Sequence, residues 1–388
     1  MLRMSIFILV SGWVLFAVWV LASTPSLILT LWRSLDKVVA RMHEPAVWPR
    51  VSMIVPARDE EQKIEWAMRS KLAIDYPNLE LIAVDDRSQD TTGAILDRLA
   101  AEDPRLCVVH LDSLPEGWLG KSHAMHVAAG RASGEYLLFT DADVFFAPGV
   151  LRKAVTMCEA RRLDHLALMP RMLSTGFFEQ ALELYFAMML CIAAQPWLVR
   201  SSWRMSYVGI GAFNMVRRSA YEQCGGHTTI RLDVLDDVKL GKLIKRTGLR
   251  QDVLDSAGGI RVQWQDSFWG VVRGMEKNGF AVFDYSLLKL TVATTLMALI
   301  SLSPYFAICL WPDVRGLGFL CALVFIHGAA AFAAKRIGFR MTVSAGLPVA
   351  IVTMIYTMWR SAFLTLRRQG VRWRDTFYPL SVLREHVY

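Results

Sequence analysis

The sequence predicts an α/β protein with a doubly wound parallel sheet, placed between apolar segments that are long enough to cross a membrane. Short apolar runs alternate with helical stretches between residues 45 and 285, and this alternation is typical of parallel sheets covered by helices on both faces. One long apolar block precedes this region and three follow it. Acidic pairs stand after several of the apolar runs, where doubly wound sheets bind their ligands.

The predicted strands and helices alternate along the chain. The strands are expected at 51–56, 79–84, 106–110 and 136–139. The helices between them are expected at 59–70, at 91–101 and in a stretch that ends at Ala129. Each helix connects two strands, so the strands are expected to pair in parallel, with their carboxyl ends at one edge of the sheet.

The apolar residues are concentrated in blocks. Hydrophobic residues make up 54% of the 388 residues, and the blocks lie at 5–32, 286–311, 317–334 and 341–359. The first block is long enough to span a bilayer and too long for the core of a cleaved signal peptide. We therefore expect a multi-pass membrane protein with three parts, namely an anchor and juxtamembrane segment at 1–44, an extramembrane domain at 45–285, and a membrane region of two to three spans with a basic tail at 286–388.

Basic residues lie beside the apolar blocks and predict the orientation. Lys37 and Arg41 follow the first block, and Arg367–Arg374 follow the last. Such residues favour the cytoplasmic side, so we expect the extramembrane domain to lie on the cytoplasmic face of a bacterial-type inner membrane. Three full C-terminal spans would place the tail outside, so we expect 341–366, interrupted by Gly346 and Pro348, to be re-entrant or interfacial. No basic and aromatic pattern indicates nucleic acid, and the six scattered cysteines indicate neither a zinc site nor disulfides.

Two acids follow the apolar run at 136–139. Asp141 and Asp143 are separated by one residue, and in an extended chain their side chains would point to the same side. Two carboxylates at the end of a buried strand are costly unless a cation pairs with them. The spacing therefore predicts ligands of Mg²⁺ or Mn²⁺, which take their other ligands from water and phosphates. The alternative is two solvated acids in a turn.

Other polar clusters also stand beside predicted elements. Asp85 and Asp86 follow the second strand and suit a ribose or a base edge, although they could also cap a helix. Lys121 precedes a helix, where a phosphate gains from the ammonium and from free backbone N–H groups; the alternative is an exposed loop lysine. Asp236 and Asp237 begin a further predicted helix, where the helix dipole favours acids whatever their function.

Two longer stretches could contribute to an acceptor site. Gly209–Ser219 reads as a flexible turn followed by a short strand; it is either structural or shapes an acceptor pocket. The stretch 177–203 is rich in large apolar side chains. It is either a buried core helix or an interfacial helix that guides a lipid to the site.

Six short motifs occur in one order, namely Val55-Pro-Ala-Arg-Asp-Glu60, Val84-Asp-Asp-Arg-Ser-Gln-Asp90, Gly120-Lys121, Asp141-Ala-Asp143, Gly211-Ala-Phe213 and Asp236-Asp237. In this order they resemble inverting family 2 glycosyltransferases, over residues 50–280. With the apolar blocks, the chain is similar to ceramide glucosyltransferase-like enzymes and to hopanoid-associated and carotenoid-acid glycosyltransferases of bacteria. The resemblance implies a GT-A (doubly wound, Rossmann-like) nucleotide-sugar transferase domain between an N-terminal transmembrane helix and C-terminal transmembrane or interfacial helices.

The resemblance also implies roles in binding the nucleotide-sugar. Pro56 and Ala57 would lie against the nucleobase. Asp85 and Asp86 would contact uracil and ribose. Lys121 would lie near the diphosphate.

The remaining roles concern the metal and the chemistry. Asp141 and Asp143 match the DxD motif that holds the sugar nucleotide and a Mg²⁺ or Mn²⁺ ion. Asp237 matches the catalytic base, and Asp236 stands where the family has glutamate. The Gln-x-x-Arg-Trp motif of many relatives is missing from 261–278, and Gln369–Trp373 matches its letters only after the last apolar block.

This missing motif favours a single transfer over processive polymer synthesis. We expect an enzyme that moves one sugar from a UDP-sugar, or another nucleotide-sugar, to a membrane lipid, with an undetermined oligomeric state. The alternatives are a polyprenyl-phosphate sugar synthase and a non-catalytic nucleotide-binding scaffold or transporter component. Transport is disfavoured because the apolar blocks contain almost no acids.

Overall fold

A computed structural model describes residues 2–26, 33–374 and 376–385. Its strands are β1 (Val51–Ala57), β2 (Leu79–Asp86), β3 (Leu106–Leu111), β4 (Tyr136–Phe139), β5 (Val144–Phe146), β6 (His165–Met169), β7 (Arg171–Met172), β8 (Asn214–Arg217), β9 (Gln251–Asp255), β10 (Ile260–Val262), β11 (Gly370–Trp373) and β12 (Thr376–Pro379). Its α-helices are α1 (Leu2–Pro25), α2 (Leu35–Val39), α3 (Ile64–Leu72), α4 (Thr92–Glu102), α5 (Gly120–Arg131), α6 (Val150–Arg161), α7 (Phe177–Ala194), α8 (Arg218–Gln223), α9 (Gly226–Thr229), α10 (Asp236–Arg246), α11 (Phe268–Gly274), α12 (Leu287–Ser301), α13 (Ser303–Leu310), α14 (Leu317–Ile337), α15 (Leu347–Arg368) and α16 (Leu380–Glu385).

The described chain divides into two compact units. The sheet unit contains residues 33–173 and 196–263, and the helical unit contains 2–26, 174–195, 264–374 and 376–385. The segments 174–195 and 264–285, which the sequence placed in the extramembrane region, therefore group with the apolar helices. The division into an anchor, an extramembrane domain and a membrane region concerns the bilayer, and it stays a prediction.

A mixed sheet forms the centre of the sheet unit. Within the described residues its strand order is β3-β2-β1-β4-β8-β6-β9. The first four strands pair in parallel, which confirms the predicted core. Strand β8 runs antiparallel to both β4 and β6, and β9 pairs in parallel with β6. Large sheets often contain such an insertion. The short strand expected within Gly209–Ser219 corresponds to β8, but its antiparallel pairing was not predicted.

Successive residues of β1 pack on opposite faces of the sheet. Met53 and Val55 belong to a core that also contains Ile64 and Met68 of α3. Ile54 belongs to a second core, which α5 and α10 cover on the other face. Because both faces are buried, the strands contain almost no polar side chains before their carboxyl ends. The polar groups that follow these ends are therefore brought together at one edge of the sheet.

The helical unit contains four helices that are long and apolar enough to cross a membrane, among the residues described. They run over Arg3–Pro25, Phe177–Ala194, Val314–Ile337 and Met341–Arg368. Helix α1 packs closely on α14, since a Cβ atom at Gly318 would lie 2.5 Å from the backbone of Gly12. The last part of the predicted first block, 27–32, lies outside the described residues.

The break in the C-terminal helices lies elsewhere than the sequence predicted. Helix α15 is continuous from Leu347, with Gly346 as its N-cap and Pro348 in its first turn, where proline is tolerated. The bend of 42° instead separates α12 from α13. This bent pair is therefore the better candidate for a broken span or a re-entrant segment. In the Gln369–Trp373 stretch, Gln369 is the C-cap of α15 and Gly370–Trp373 form β11 of a hairpin in the same unit.

Candidate active site

The predicted nucleotide residues lie at the ends of β1 and β2. Ala57 stands opposite Asp85 in the parallel register, and Pro56 precedes it at the end of β1. Asp85 and Asp86 end β2 and are both largely buried. The structure thus brings these four residues to the same edge of the sheet.

Both acids of β2 have partners that the sequence did not predict. Asp85 accepts a hydrogen bond from Ser88 N–H at 3.2 Å and lies 3.0 Å from Nδ1 of His110. Hydrogen bonds with Asp97 and Asp85 raise the pKa of His110. Asp86 accepts two hydrogen bonds from the guanidinium of Arg87, at 2.7 and 2.9 Å. These hydrogen bonds offset the free-energy cost of burying the two carboxylates. They also fix the positions of the carboxylates before any ligand binds.

Lys121 joins the two acidic motifs that the sequence assigned to donor binding and to catalysis. It lies in the first turn of α5, and its Nζ lies 2.7 Å from Asp141 Oδ1 and 3.3 Å from Asp236 Oδ2. Burial acts to lower the pKa of Lys121, but the charges of Asp141, Asp236 and Asp237 outweigh it, and the net pKa is raised. Lys121 is therefore a permanent cation at the centre of the site.

Gly211 lies between the DxD turn and the candidate base. Its N–H donates to Asp237 Oδ2 at 2.7 Å, and its carbonyl accepts from Asp141 N–H at 3.0 Å. A Cβ atom at Gly211 would lie 2.7 Å from Asp141 Oδ2 and 3.4 Å from Asp237 Oδ2. A side chain here would displace the Asp141 carboxylate, whereas its contact with Asp237 would be an ordinary one. Through its hydrogen bonds to both motifs, the backbone at Gly211 sets the separation between the two functional acids.

Both carboxylate oxygens of Asp237 accept hydrogen bonds from backbone N–H groups. Oδ2 accepts from Gly211 at 2.7 Å, and Oδ1 accepts from Val238 at 2.8 Å. Burial and the neighbouring charge of Asp236 raise the pKa of Asp237 to about 6, although Lys121 acts in the opposite direction. A carboxylate with a raised pKa is a stronger base than an exposed aspartate and is still ionised at neutral pH. This combination suits a general base.

Asp143 lies beside a buried lysine that the sequence analysis missed. Burial raises the pKa of Asp143 to about 6, with further contributions from Asp141 and Glu60. Lys71 of α3 is fully buried, and its Nζ donates to the carbonyl of Val144 at 2.6 Å. Burial lowers the pKa of Lys71 to about 7, although the charges of Asp143 and Asp141 oppose this change. Lys71 thus holds the backbone on the carboxyl side of the DxD turn.

Asp141 and Asp143 do not lie in an extended strand, although the sequence predicted one. Strand β4 ends at Phe139, and Ala142 and Asp143 lie in a turn. Thr140 follows the strand, where its backbone N–H donates to the Ile54 carbonyl at 3.1 Å and its hydroxyl donates to the Ala212 carbonyl at 2.8 Å. The relation between the two carboxylates is therefore set by this turn.

The residues that could hold a divalent metal are Asp141 and Asp143. Among the described residues, no group of three or more His, Cys, Asp and Glu side chains could hold a metal ion. Two carboxylates nevertheless fit Mg²⁺ or Mn²⁺, because these ions accept one or two protein carboxylates together with substrate phosphates. Lys121 already neutralises Asp141, so a metal there would share this carboxylate with the lysine.

A small pocket joins part of the predicted site. It is lined by Lys121, Met125, Phe139, Thr140, Asp141, Gly211, Asn214, His227, Asp236 and Asp237. Four predicted residues, Lys121, Asp141, Asp236 and Asp237, thus line one pocket. Pro56, Ala57, Asp85, Asp86 and Asp143 are not among its lining residues.

A buried polar network supports the backbone behind Asp237. Asn214 on β8 donates from Nδ2 to the Asp237 carbonyl at 3.4 Å, and its Oδ1 contacts Nε2 of His165. Gln251 lies 2.7 Å from Nδ1 of His165 and donates to the Gly241 carbonyl at 3.0 Å. Burial lowers the pKa of His165 to about 4, so this histidine stays neutral. The network fixes α10 against the sheet.

The start of α10 lies in direct contact with the loop before β8. A Cβ atom at Gly209 would lie 1.7 Å from the Asp237 carbonyl oxygen, so no other residue fits there without moving the helix. The Gly209–Ser219 stretch was expected to be structural or to shape an acceptor pocket, but this contact was not predicted. Asn214 lies within that stretch without an assigned role. His227 was not predicted, and its nearness in sequence to Asp236 was the one signal for it.

A family model matches much of the region that contains these residues. The family model described as "Glycosyl transferase family 2" matches residues 52–225. This range includes the β1 and β2 ends, Lys121, the DxD turn and Gly211. It ends before Asp236 and Asp237.

Curated relatives have low sequence identity but long matches. The 4,4'-diaponeurosporenoate glycosyltransferase of Staphylococcus haemolyticus (strain JCSC1435) is 24% identical over 231 residues, which are 59% of this chain and 60% of that protein. The protein of the same name from Staphylococcus aureus (strain USA300) is 23% identical over 267 residues, which are 67% of this chain and 68% of that protein. The chain thus spans less than two thirds of the first relative's length.

A solved structure matches the fold. It is the mannosyltransferase PcManGT from Pyrobaculum calidifontis in complex with GDP-Man and Mn²⁺, with a TM-score of 0.51 and 18% sequence identity. The match covers 91% of this chain and 98% of that chain. With the mixed sheet described above, it confirms the predicted GT-A fold with apolar helices on the N-terminal and C-terminal sides.

Proposed function

Because the chain contains a family 2 glycosyltransferase domain on a GT-A fold, we propose that it transfers one sugar from a UDP-sugar to a lipid in the membrane, with inversion at the anomeric carbon. The observation that best supports this proposal is the arrangement around Gly211, which separates Asp141 from Asp237. A donor-binding carboxylate and a candidate base thus lie on either side of one backbone position.

The donor half of the proposed reaction uses the sheet edge and Lys121. The nucleoside would bind at Pro56, Ala57, Asp85 and Asp86, and the diphosphate would bind beside Lys121. Lys121 is the cation of the pocket and already bridges Asp141 and Asp236. When the bond between the anomeric carbon and the diphosphate oxygen breaks, the electron pair stays with UDP, and the ammonium stabilises the developing charge.

The acceptor half uses Asp237. An acceptor hydroxyl attacks the anomeric carbon from the face opposite the diphosphate, so a new carbon–oxygen bond forms as the old one breaks. Asp237 takes the proton of that hydroxyl. The Gly211 N–H fixes the carboxylate, and Asp236 orients it or pairs with Lys121. No covalent intermediate with the protein is needed.

A divalent cation fits the donor half of the proposed reaction. Asp141 and Asp143 would hold Mg²⁺ or Mn²⁺ together with the diphosphate oxygens. The ion would then neutralise part of the leaving-group charge. Lys121 contributes to the same neutralisation from the protein.

The lipid acceptor and the location of the protein are inferred from the architecture. The four long apolar helices suggest a multi-pass protein of a bacterial inner membrane, and a membrane-bound transferase is expected where the acceptor cannot leave the bilayer. We place the sheet unit on the cytoplasmic side, because Lys37 and Arg41 stand after the first apolar block. The staphylococcal relatives are named as 4,4'-diaponeurosporenoate glycosyltransferases, and an acceptor of that lipid-like class fits the proposal.

Lipid extracts test the proposal directly. Membranes with and without this protein would be incubated with labelled UDP-sugars and with labelled GDP-mannose, and the organic phase would be analysed by mass spectrometry. We expect a lipid with one added hexose, formed from a UDP-sugar. Label from GDP-mannose alone would contradict the donor. No protein-dependent lipid product would contradict the function. A labelled polyprenyl phosphate would identify the alternative sugar phosphate synthase.

A further inference from the structure

His227 is a buried histidine in the pocket that no step above uses. It lies in the short helix α9 and is 1% exposed. Its ring contacts Phe139 edge-on, with 4.8 Å between centroids, and lies 5.6 Å from the ring of Tyr221. These contacts fix the plane of the imidazole.

Tyr221 determines which nitrogen of His227 has the proton. The phenolic oxygen of Tyr221 accepts a hydrogen bond from the His227 backbone N–H at 3.1 Å, and it lies 2.9 Å from Nδ1. Among the described residues, Nδ1 is the one acceptor within reach of the Tyr221 hydroxyl proton. The hydroxyl therefore donates to Nδ1, and the neutral ring has its proton on Nε2.

His227 stays neutral at physiological pH. Burial, together with the charges of Lys121 and His126, lowers its pKa to about 3. When Nδ1 of the neutral ring accepts the Tyr221 hydrogen bond, the ring can only donate a hydrogen bond, and it does so from Nε2. It can neither accept a proton from a hydroxyl nor ligate a metal through Nδ1.

Nε2 has no hydrogen-bond partner within the part of the chain that the structure describes. Protein atoms do not fully enclose Nε2, because it is absent from the enclosed polar atoms that lack a partner. His227 lines the pocket together with Lys121 and Asp141. A buried N–H group without a partner costs free energy, unless a ligand or a water molecule accepts its hydrogen bond. The pocket is where such a ligand would bind.

We propose that His227 is a donor-binding residue whose Nε2–H donates a hydrogen bond to an oxygen of the diphosphate or of the sugar of the nucleotide-sugar. This proposal rests on the proposed function. A neutral N–H donor beside the Lys121 ammonium suits an oxygen that is itself negatively charged or strongly polar. Tyr221 is then a positioning residue, because it keeps the Nε2–H tautomer in place.

Two amide substitutions separate the two nitrogens of His227. The amide of a glutamine reaches the position of Nε2, whereas the amide of an asparagine reaches only that of Nδ1. We expect His227→Asn to weaken binding of the intact nucleotide-sugar by about 5- to 10-fold, the effect of one neutral hydrogen bond. We expect His227→Gln to stay within about 2-fold of the unsubstituted protein, because its donor is retained.

Tyr221→Phe serves as the matched control for packing. It removes the Tyr221–His227 hydrogen bond, as His227→Gln does, but leaves the imidazole and its Nε2 donor in place. We expect a loss of affinity of less than about 3-fold in this variant. Thermal melting of each full-length variant in detergent would show whether the fold is retained.

Binding would be measured by calorimetry with the full-length protein, UDP and a panel of UDP- and GDP-sugars. Weaker binding of both UDP and the best nucleotide-sugar in His227→Asn would assign the hydrogen bond to the diphosphate. Weaker binding of the nucleotide-sugar alone would assign it to the sugar. Equal affinity in His227→Asn, His227→Gln and the unsubstituted protein would overturn the role of His227, as would equal losses in His227→Asn and Tyr221→Phe. If the unsubstituted protein bound no nucleotide-sugar, the proposed function would fail as well.

Discussion

The pH dependence of transfer is a direct test of Asp237 as the base. The active form is the ionised carboxylate, so the rate should rise with pH through the pKa of Asp237, which burial and Asp236 raise to about 6. At pH 5 about one tenth of the molecules would be active, and at pH 7 about nine tenths. An unperturbed aspartate would instead be fully active at both values.

The acidic limb of the pH–rate profile is the range in which the rate rises with pH. Substitutions of the charged residues next to Asp237 should move this limb in opposite directions. Asp236→Asn removes a negative charge next to Asp237, so the limb should move down by on the order of one pH unit, equivalent to about 1.4 kcal/mol. Lys121→Met removes the positive charge that opposes the rise, so the limb should move up by a similar amount. Asp237→Asn should lower turnover by about 10²-fold or more, while binding of the nucleotide-sugar stays nearly unchanged.

The assay is incorporation of labelled sugar into extractable lipid by native membranes at saturating donor, from about pH 5 to about pH 8. A pH-independent rate in the unsubstituted protein would refute the assignment. A larger loss in Asp236→Asn than in Asp237→Asn would transfer the role of base to Asp236. Near-normal turnover in Asp237→Asn would indicate an acceptor that is already ionised, such as a carboxylate or a phosphate.

Three further predictions concern the metal, the glycine contact and the buried network. Asp143→Asn should abolish turnover to the same extent as EDTA, and added Mn²⁺ should restore the EDTA-treated enzyme but not the variant; full activity in EDTA would remove the metal from the mechanism. Gly211→Ala should lower turnover by about 10²-fold, because its Cβ would displace the Asp141 carboxylate from a distance of 2.7 Å; an unchanged rate would show that the two acids need no fixed separation. In Asn214→Ala the Asp237 carbonyl and His165 each lose a hydrogen-bond partner, so the protein should be destabilised by about 1–3 kcal/mol. The variant should also lower kcat more than it raises KM for the donor. A change in KM alone would contradict a role of Asn214 in supporting Asp237.

Local patterns in the sequence were sufficient for the elements that contain the site. The predicted strand at 136–139 coincides with β4, and the predicted strand at 106–110 differs from β3 by one residue. The helix start at Asp236 is also found as predicted. These features depend on side-chain periodicity and on capping within a few residues of each other, so they can be read from the chain directly.

The internal geometry of the site depends on contacts between distant parts of the chain. Gly211 meets Asp237 and Asp141, and Lys121 meets Asp236, across separations that no local pattern encodes. The pairing of His227 with Tyr221 depends on a turn between two short helices and on the burial of both rings. Hydrogen bonding and pKa values at these residues depend on which groups surround them once water is excluded. The sequence alone thus determined which acids follow which strands, and the packing of β8 and α10 against the parallel core decided which of those acids face one another.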